Sequence, residues 1–398
     1  MRFALGKHGY NYLRSTGYPA PSYSTLNRRI REIKINFGIL ENLFFFLKTK
    51  VHSLDALDRN CCLLVDEMEI ASYQDFDTSS KSFIGNVTLG KPAVAKHYTI
   101  VMLRGLKTSW KQIVANELTG PSTSGSDMKD LIHRTVVAAT EIGLTVRASV
   151  SDMGSNNRAM WSSLDVSVSR TDRKTNYNIG GPDVFIHSIA DVPHLIKNMR
   201  NAFLSSIIIL PEEFRQQHAL PSRIVSSVYV KRLWSSEIES DAALRSLHHL
   251  NRVHLFPTHF SSMNGGICCA IVFFWKAWKP FQTGIIMSTL SVVKLSKELF
   301  SEGFTFFLPG RLTQDALENA FSQIRRKSGA KPTALQAKRA LKLVCLSQFI
   351  SDINNPNYCS ESDHSLFDAS ELEVAIRKEV LHPISNSVVP STSSAVAV

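Results

Sequence analysis

Cysteine is sparse in this 398-residue chain: Cys61, Cys62, Cys268, Cys269, Cys345 and Cys359 are all it has. Two adjacent pairs and no CxxC spacing suggest neither a zinc site nor an extracellular disulfide framework. Long apolar runs are also lacking. The longest, GGICCAIVFFW from Gly265 to Trp275, falls well short of the ~20 residues a spanning helix needs. The opening MRFALGKHGYNYLR has no apolar h-region of the kind a signal peptide carries. Acidic residues are in deficit, 34 Asp and Glu against 45 Lys and Arg, for a formal net charge of +11. These absences predict a soluble protein of the cytosol or nucleus with reduced cysteines, no membrane partner and an anionic partner, nucleic acid first. A hydrophobic content of 44% with 20% charged residues is enough for one large core or two to three modest ones.

Residues 1 to 60 are rich in Arg and Lys. They hold two helix-like segments, KHGYNYLRSTG and YSTLNRRIREIKI, around the turn YPAPS. Ser22 or Ser24 could cap the second, which sets Leu26, Ile30 and Ile33 on one face and Arg28, Arg29 and Arg31 elsewhere. That profile suits a helix-turn-helix whose basic second helix meets phosphate; a helical hairpin with a solvated basic face fits equally. From Cys61 the pattern turns to strands: CCLLVDEMEI, SFIGNVTLG and AVAKHYTIVMLRGL, then a helix over SDMKDLIHRTVVAATEIGL and a strand TVRASVSD. This order predicts a mixed α/β domain. The end of the chain, ISNSVVPSTSSAVAV, is turn-rich and low in charge, and is expected to be disordered.

Three acids sit where acids are costly. Asp66 follows the apolar run of LLVDEMEI, Asp152 ends another apolar strand in SVSDMGSNNRAMW, and Glu318 lies in TQDALENAF three residues after Asp315. Any one of them reads equally as a cap or turn former. Together they are the minimum set for two divalent metals, and the chemistry that needs such a set is phosphoryl transfer with Mg²⁺ clamping the attacking and leaving oxygens. In GNVTLGKP, Gly85, Gly90 and Lys91 have the spacing of a phosphate-binding loop. Pro92, however, takes the Ser/Thr position, so strand and turn is the better reading. In HSIADVPHLIKNMRNAF, Asp191 would cap a helix with Pro193 in its first turn, and Lys197 follows. A capped basic helix and a charged-ligand site both fit.

Taken in order, YNYLRSTGYPAPSYSTLNRRI, LLVDEMEI, SDMGSNNRAMW, DVPHLIKNMRN and LPGRLTQDALENAFSQIRRKSGAKPT resemble the P-element-type transposases, the family that includes the THAP-domain transposases. The resemblance spans roughly residues 8 to 345. It implies an RNase H-like (DDE transposase) mixed sheet with helices, interrupted by a mainly helical GTP-binding insertion and preceded by the helix-turn-helix segment. Asp66, Asp152 and Glu318 match the catalytic triad, which binds two Mg²⁺ for DNA strand cleavage and transfer. GTP acts in the family as a cofactor. Asp191, Lys197 and Asp315 are candidate nucleotide contacts, and Asp241 is a further candidate inside the insertion.

The implied division is 1–60 helix-turn-helix, 61–197 first part of the catalytic domain, 198–306 insertion, 307–350 closing helix and 351–398 flexible tail. The implied partners are double-stranded DNA (transposon ends and target), GTP and further copies of the chain, in the nucleus. Full-length members begin with a zinc-coordinating THAP domain and a coiled coil, and residues 1 to 60 hold neither the cysteines nor the heptads for them. A second class of function fits the same motifs: a domesticated or decayed DNA- and GTP-binding protein without catalysis. The presence of all three acids favours the enzyme.

Overall fold

The computed structural model describes residues 2–32, 35–121, 123–169, 171–179, 184–238, 280–348 and 364–365. At the amino end, helices Arg2–Ser15 and Tyr23–Glu32 flank the proline-bearing turn. Ser22 resolves the choice of cap, its hydroxyl accepting the Thr25 N–H at 3.0 Å. The Tyr10 hydroxyl donates to the Pro21 carbonyl at 2.9 Å, tying the turn to the first helix.

The centre is a mixed sheet. Its strands run, in spatial order, Gly38–Ile39, Trp110–Thr119, His97–Gly105, Asn60–Glu69, Thr145–Ser151, Phe185–Ala190 and Asn176–Asn178. Asn60–Glu69, His97–Gly105 and Trp110–Thr119 pair antiparallel as a meander. Thr145–Ser151 and then Phe185–Ala190 add in parallel on the other side of Asn60–Glu69. His364–Ser365 also pairs with Trp110–Thr119.

Because side chains alternate along a strand, Asn60–Glu69 divides its residues between two cores. Cys61, Leu63 and Val65 pack toward one face with Met128, Leu131 and Ile132 of helix Gly125–Glu141. Cys62 and Leu64 pack toward the other with Leu317, Phe321 and Ile324 of helix Asp315–Ser328, and with Leu341 and Val344 of helix Ala334–Gln348. A strand covered on both faces reads as a continuous apolar run, and CCLLV is one.

The third meander strand is a correction to the expectation from sequence. It is Trp110–Thr119, whereas Ser82–Ile84 of SFIGNVTLG pairs with Asp75–Asp77 as a separate small hairpin. WKQIVANELT hides its strand character because Asn116 and Glu117, polar residues in its middle, are buried and partnered. Asn116 accepts the Tyr98 hydroxyl at 2.9 Å, and Glu117 accepts that of Thr88 at 2.6 Å. The GNVTLGKP segment is a bend with one isolated bridge, between Asn86 and Val94, in place of the expected strand and turn. Gly85 is required there, at φ 142° and with a Cβ that would stand 2.3 Å from the Tyr73 carbonyl oxygen.

Helix Pro280–Ser301, which the sequence division places in the insertion, lies on this sheet. Strand Asn176–Asn178 pairs as far as His187, and the Thr175 carbonyl before it accepts the Ser188 N–H at 2.9 Å, leaving Ile189 and Ala190 an open edge. Ser288 closes it, its hydroxyl accepting the Ala190 N–H at 2.9 Å and lying 3.0 Å from the Ala190 carbonyl. Ser291 donates to the Ser188 carbonyl at 2.7 Å. Buried Leu295 and Leu299 continue into the core shared with the closing helix. The remaining described part of 198–306 holds helices Glu212–Gln217 and Ser227–Ile238 and a hairpin of Ile208–Ile209 with Ile224–Val225. Asp241 lies outside the described residues.

Candidate active site

Three neighbouring parallel strands bring aspartates to one edge of the sheet. Leu64 pairs with Val150, and Ser151 with Ala190. Continued one or two residues, these registers set Asp66, Asp152 and Asp191 level with one another. Alternation also puts all three on one face, since Leu64, Val150 and Ile189 belong to the core beneath the closing helix. Glu318 is in the first turn of that helix.

Each carboxylate is differently held. Asp66 Oδ1 accepts the Glu67 N–H at 2.8 Å. Burial pushes the Asp66 carboxyl up to about 7; the Glu67 N–H opposes this, and the nearby Asp152 and Glu318 carboxylates add to it. Asp152 Oδ1 accepts the Gly154 N–H at 2.8 Å and the Asn157 side-chain amide at 2.6 Å. Gly154 permits this turn, because a Cβ there would stand 2.9 Å from Asp152 Oδ1. Glu318 Oε1 faces Lys197 Nζ at 4.0 Å and His194 Nε2 at 3.9 Å.

Asp191 has a structural task. It is 1% exposed and caps helix Val192–Ser205, with Oδ2 accepting the His194 N–H at 3.1 Å and contacting His194 Nδ1 at 2.6 Å. Its Oδ1 accepts the Gln314 N–H at 2.8 Å. The bond to Asp191 raises the His194 pKa, against the effect of burial. Of the residues considered for nucleotide contact, Asp191 is thus enclosed, Lys197 stands beside the third acid, and Asp315 is exposed at the start of the closing helix, where its Oδ2 accepts the Thr313 hydroxyl at 3.0 Å.

Two participants are not marked in the sequence. Gln314 is fully buried and donates from Nε2 to the Val65 carbonyl at 2.6 Å. Glu67 has its carboxyl pushed up by burial and, beyond that, by Asp152, with His97 opposing. A glutamine before an acidic first turn and a second acid after Asp66 look like ordinary surface residues in a linear pattern.

Asp152 and Glu318 are both near enough to Asp66 to disfavour its charge. Among the described residues, no group of three or more His, Cys, Asp or Glu side chains stands close enough together to hold a metal ion as placed. The donor set is nevertheless all hard oxygen, and a carboxyl held near 7 by burial and neighbouring acids gains from a cation. Both features fit Mg²⁺ or Mn²⁺.

Residues 35–165 match the family model described as the TNP-like RNase H N-terminal domain. The chain is 32% identical over 207 residues to the Transposable element P transposase of Drosophila melanogaster, an alignment covering 50% of this chain and 24% of that protein. The chain is a relative of the P-element-type transposases. A second relative, the human DNA transposase THAP9, is 26% identical over 204 residues, covering 49% of this chain and 22% of that one. The alignments thus span about a quarter of each relative's length. The solved Drosophila P element transposase strand transfer complex superposes with a TM-score of 0.66 over 88% of this chain and 89% of that chain, at 20% identity. The strand order, the matching family model and this likeness give the chain an RNase H-like fold.

Proposed function

We propose that this chain is a DNA transposase core that cleaves and joins DNA strands with divalent metal, Asp66, Asp152 and Glu318 holding the ions. The observation that carries the reading is that Asp66 and Asp152 stand level at adjacent strand ends, with Asp152 and Glu318 both near enough to disfavour the charge on Asp66. Bound Mg²⁺ would activate a hydroxyl nucleophile and offset charge on the reacting phosphate. In the first step a water oxygen attacks phosphorus, the P–O3′ bond breaks, and the departing oxygen takes a proton to become a 3′-hydroxyl. In the second, that hydroxyl attacks a target phosphodiester and displaces its O3′. Lys197 and His194, beside Glu318, are placed to contact an anionic phosphate in either step. DNA as partner is supported by the net charge of +11. The exposed Arg325, Arg326 and Lys327 at the end of the closing helix supply further phosphate contacts.

GTP as cofactor rests on the family resemblance. Its guanine would be read by an acceptor carboxylate, and Asp315 is the exposed one among the three described candidates. Homo-oligomeric assembly and action in the nucleus belong to the same reading.

The test is nicking of supercoiled plasmid and cleavage of duplex element ends in Mg²⁺ or Mn²⁺. Wild-type protein should cut, and Asp66→Asn, Asp152→Asn and Glu318→Gln should each lose activity by about a thousandfold or more, several kcal/mol of transition-state stabilisation. Metal-independent cutting, or equal activity in all four proteins, would refute the reading.

A further inference from the structure

We infer that Gln314 is a positioning residue that sets the geometry of the three acids relative to one another; the inference rests on the metal-site reading above. Three polar groups of this one residue each lead to one acid. Its side-chain Nε2 donates to the carbonyl of Val65, the residue before Asp66, at 2.6 Å. Its backbone N–H donates to Asp191 Oδ1 at 2.8 Å, and the Asp191 N–H in turn donates at 2.9 Å to the carbonyl of Ser151, the residue before Asp152. Its own carbonyl accepts the Glu318 N–H at 2.9 Å. The strand end of Asp66, the strand end of Asp152 and the helix turn of Glu318 are therefore fastened to one point.

Gln314 is fully buried, and its Oε1 has no hydrogen-bond partner among the described residues. An unsatisfied buried oxygen is a cost that an apolar side chain of similar size would avoid. A glutamine kept for packing alone would be a poor choice; a glutamine kept to hold the Val65 carbonyl is not. The bond also fixes which end of the amide faces the strand, since Oε1 would repel a carbonyl. Asp191 completes the latch from the opposite side. Its bonds to His194 and Gln314 occupy both oxygens of this carboxylate, which stands level with Asp66 and Asp152.

Gln314→Met keeps the side-chain volume and deletes the latch. Mn²⁺ binding to the full chain without DNA, followed by electron paramagnetic resonance, should weaken by about tenfold in this variant, with secondary structure and cooperative unfolding retained. Leu317→Ala serves as the packing control: it destabilises the same helix and should leave Mn²⁺ affinity within about twofold of wild type. If Gln314→Met does not fold, Asp191→Asn and Asp191→Ala give the same comparison. Asn still accepts the Gln314 N–H and should bind Mn²⁺ more tightly than Ala.

Unchanged affinity in Gln314→Met, or the same loss in Gln314→Met and Leu317→Ala, would overturn the positioning role, as would equal affinities in the two Asp191 variants. Absence of Mn²⁺ binding by wild-type protein, or binding untouched by Asp66→Asn, would instead overturn the metal-site reading itself.

Discussion

Lys197 Nζ lies 4.0 Å from Glu318 Oε1, which sets a residue considered for nucleotide phosphate beside the third acid of the cluster. A lysine is a point charge with three donors and suits a phosphate as readily as a carboxylate. On the proposed reading, its place beside Glu318 makes it a contact for the DNA phosphate. Lys197→Ala should lower metal-dependent strand cleavage by about tenfold or more, a loss of roughly 1.4 kcal/mol in the transition state. Binding of a fluorescent GTP analogue to the same variant should stay within about twofold of wild type. Loss of nucleotide binding with intact cleavage would return Lys197 to the nucleotide.

The pH dependence of stability follows from Asp66. Its carboxyl is raised from the ordinary 3.8 to about 7 by burial and by its acidic neighbours. Between those values the folded chain holds a proton that the unfolded chain has lost, so stability falls as pH rises from about 4 to about 7 and stays lower above that. In metal-free buffer at pH 8, Asp66→Asn should therefore melt above the wild type, and the difference should close at pH 4. Mg²⁺ or Mn²⁺ should raise the wild-type melting temperature at pH 8 and leave Asp66→Asn unmoved. A wild type indifferent to both pH and metal would contradict this. Differential scanning fluorimetry across pH, with and without chelator, checks it.

Asp315 and Glu318 are one helical turn apart with different surroundings, Asp315 exposed and Glu318 turned to Lys197 and His194. Asp315→Ala should weaken GTP binding, and Glu318→Ala should remove strand cleavage, each with little effect on the other activity. Titration of a fluorescent GTP analogue and a strand-cleavage assay on both variants decide it. A common loss in both variants would show that the turn acts as a single site.

The closing helix is anchored to the sheet by two arginines. The Arg311 Nη1 group donates to the Leu106 carbonyl at 2.8 Å, and Arg104 Nη1 to the Gly310 carbonyl at 3.1 Å, so the two segments grip each other reciprocally. Arg311 is buried, and its removal leaves a buried carbonyl without its donor. Arg311→Met should lower stability by about 2–3 kcal/mol, and Phe321→Ala, on the apolar side of the same helix, by about 3–5 kcal/mol. Chemical denaturation at equilibrium measures both. A change under about 0.5 kcal/mol in Arg311→Met would mean that the anchor carries no weight.

Much of this architecture is legible in the sequence because its signals are local. The apolar run CCLLV, the helix SDMKDLIHRTVVAATEIGL and the strand TVRASVSD each announce an element, and Asp66 and Asp152 stand out as acids that end such runs. The strand Trp110–Thr119 was hidden because Gln112, Asn116 and Glu117 are polar yet buried. Asn116 and Glu117 find their partners, Tyr98 and Thr88, on another strand and in a loop that no local window contains. Asp191 shows the same boundary within the site. Its role as a helix cap follows from the DVPH spacing, but its bond to Gln314 spans 123 residues and exists only in the folded chain. Gln314 itself carries no linear signal, since its importance lies in the three backbone segments it joins.

The central claim, that Asp66, Asp152 and Glu318 hold catalytic divalent metal, is tested most directly by anomalous diffraction from crystals of the protein soaked in Mn²⁺. Two anomalous peaks about 4 Å apart, with Asp66, Asp152 and Glu318 oxygens as their protein ligands, are the predicted result. Well-ordered carboxylates with no anomalous density between them, or Mn²⁺ held elsewhere on the chain, would contradict it.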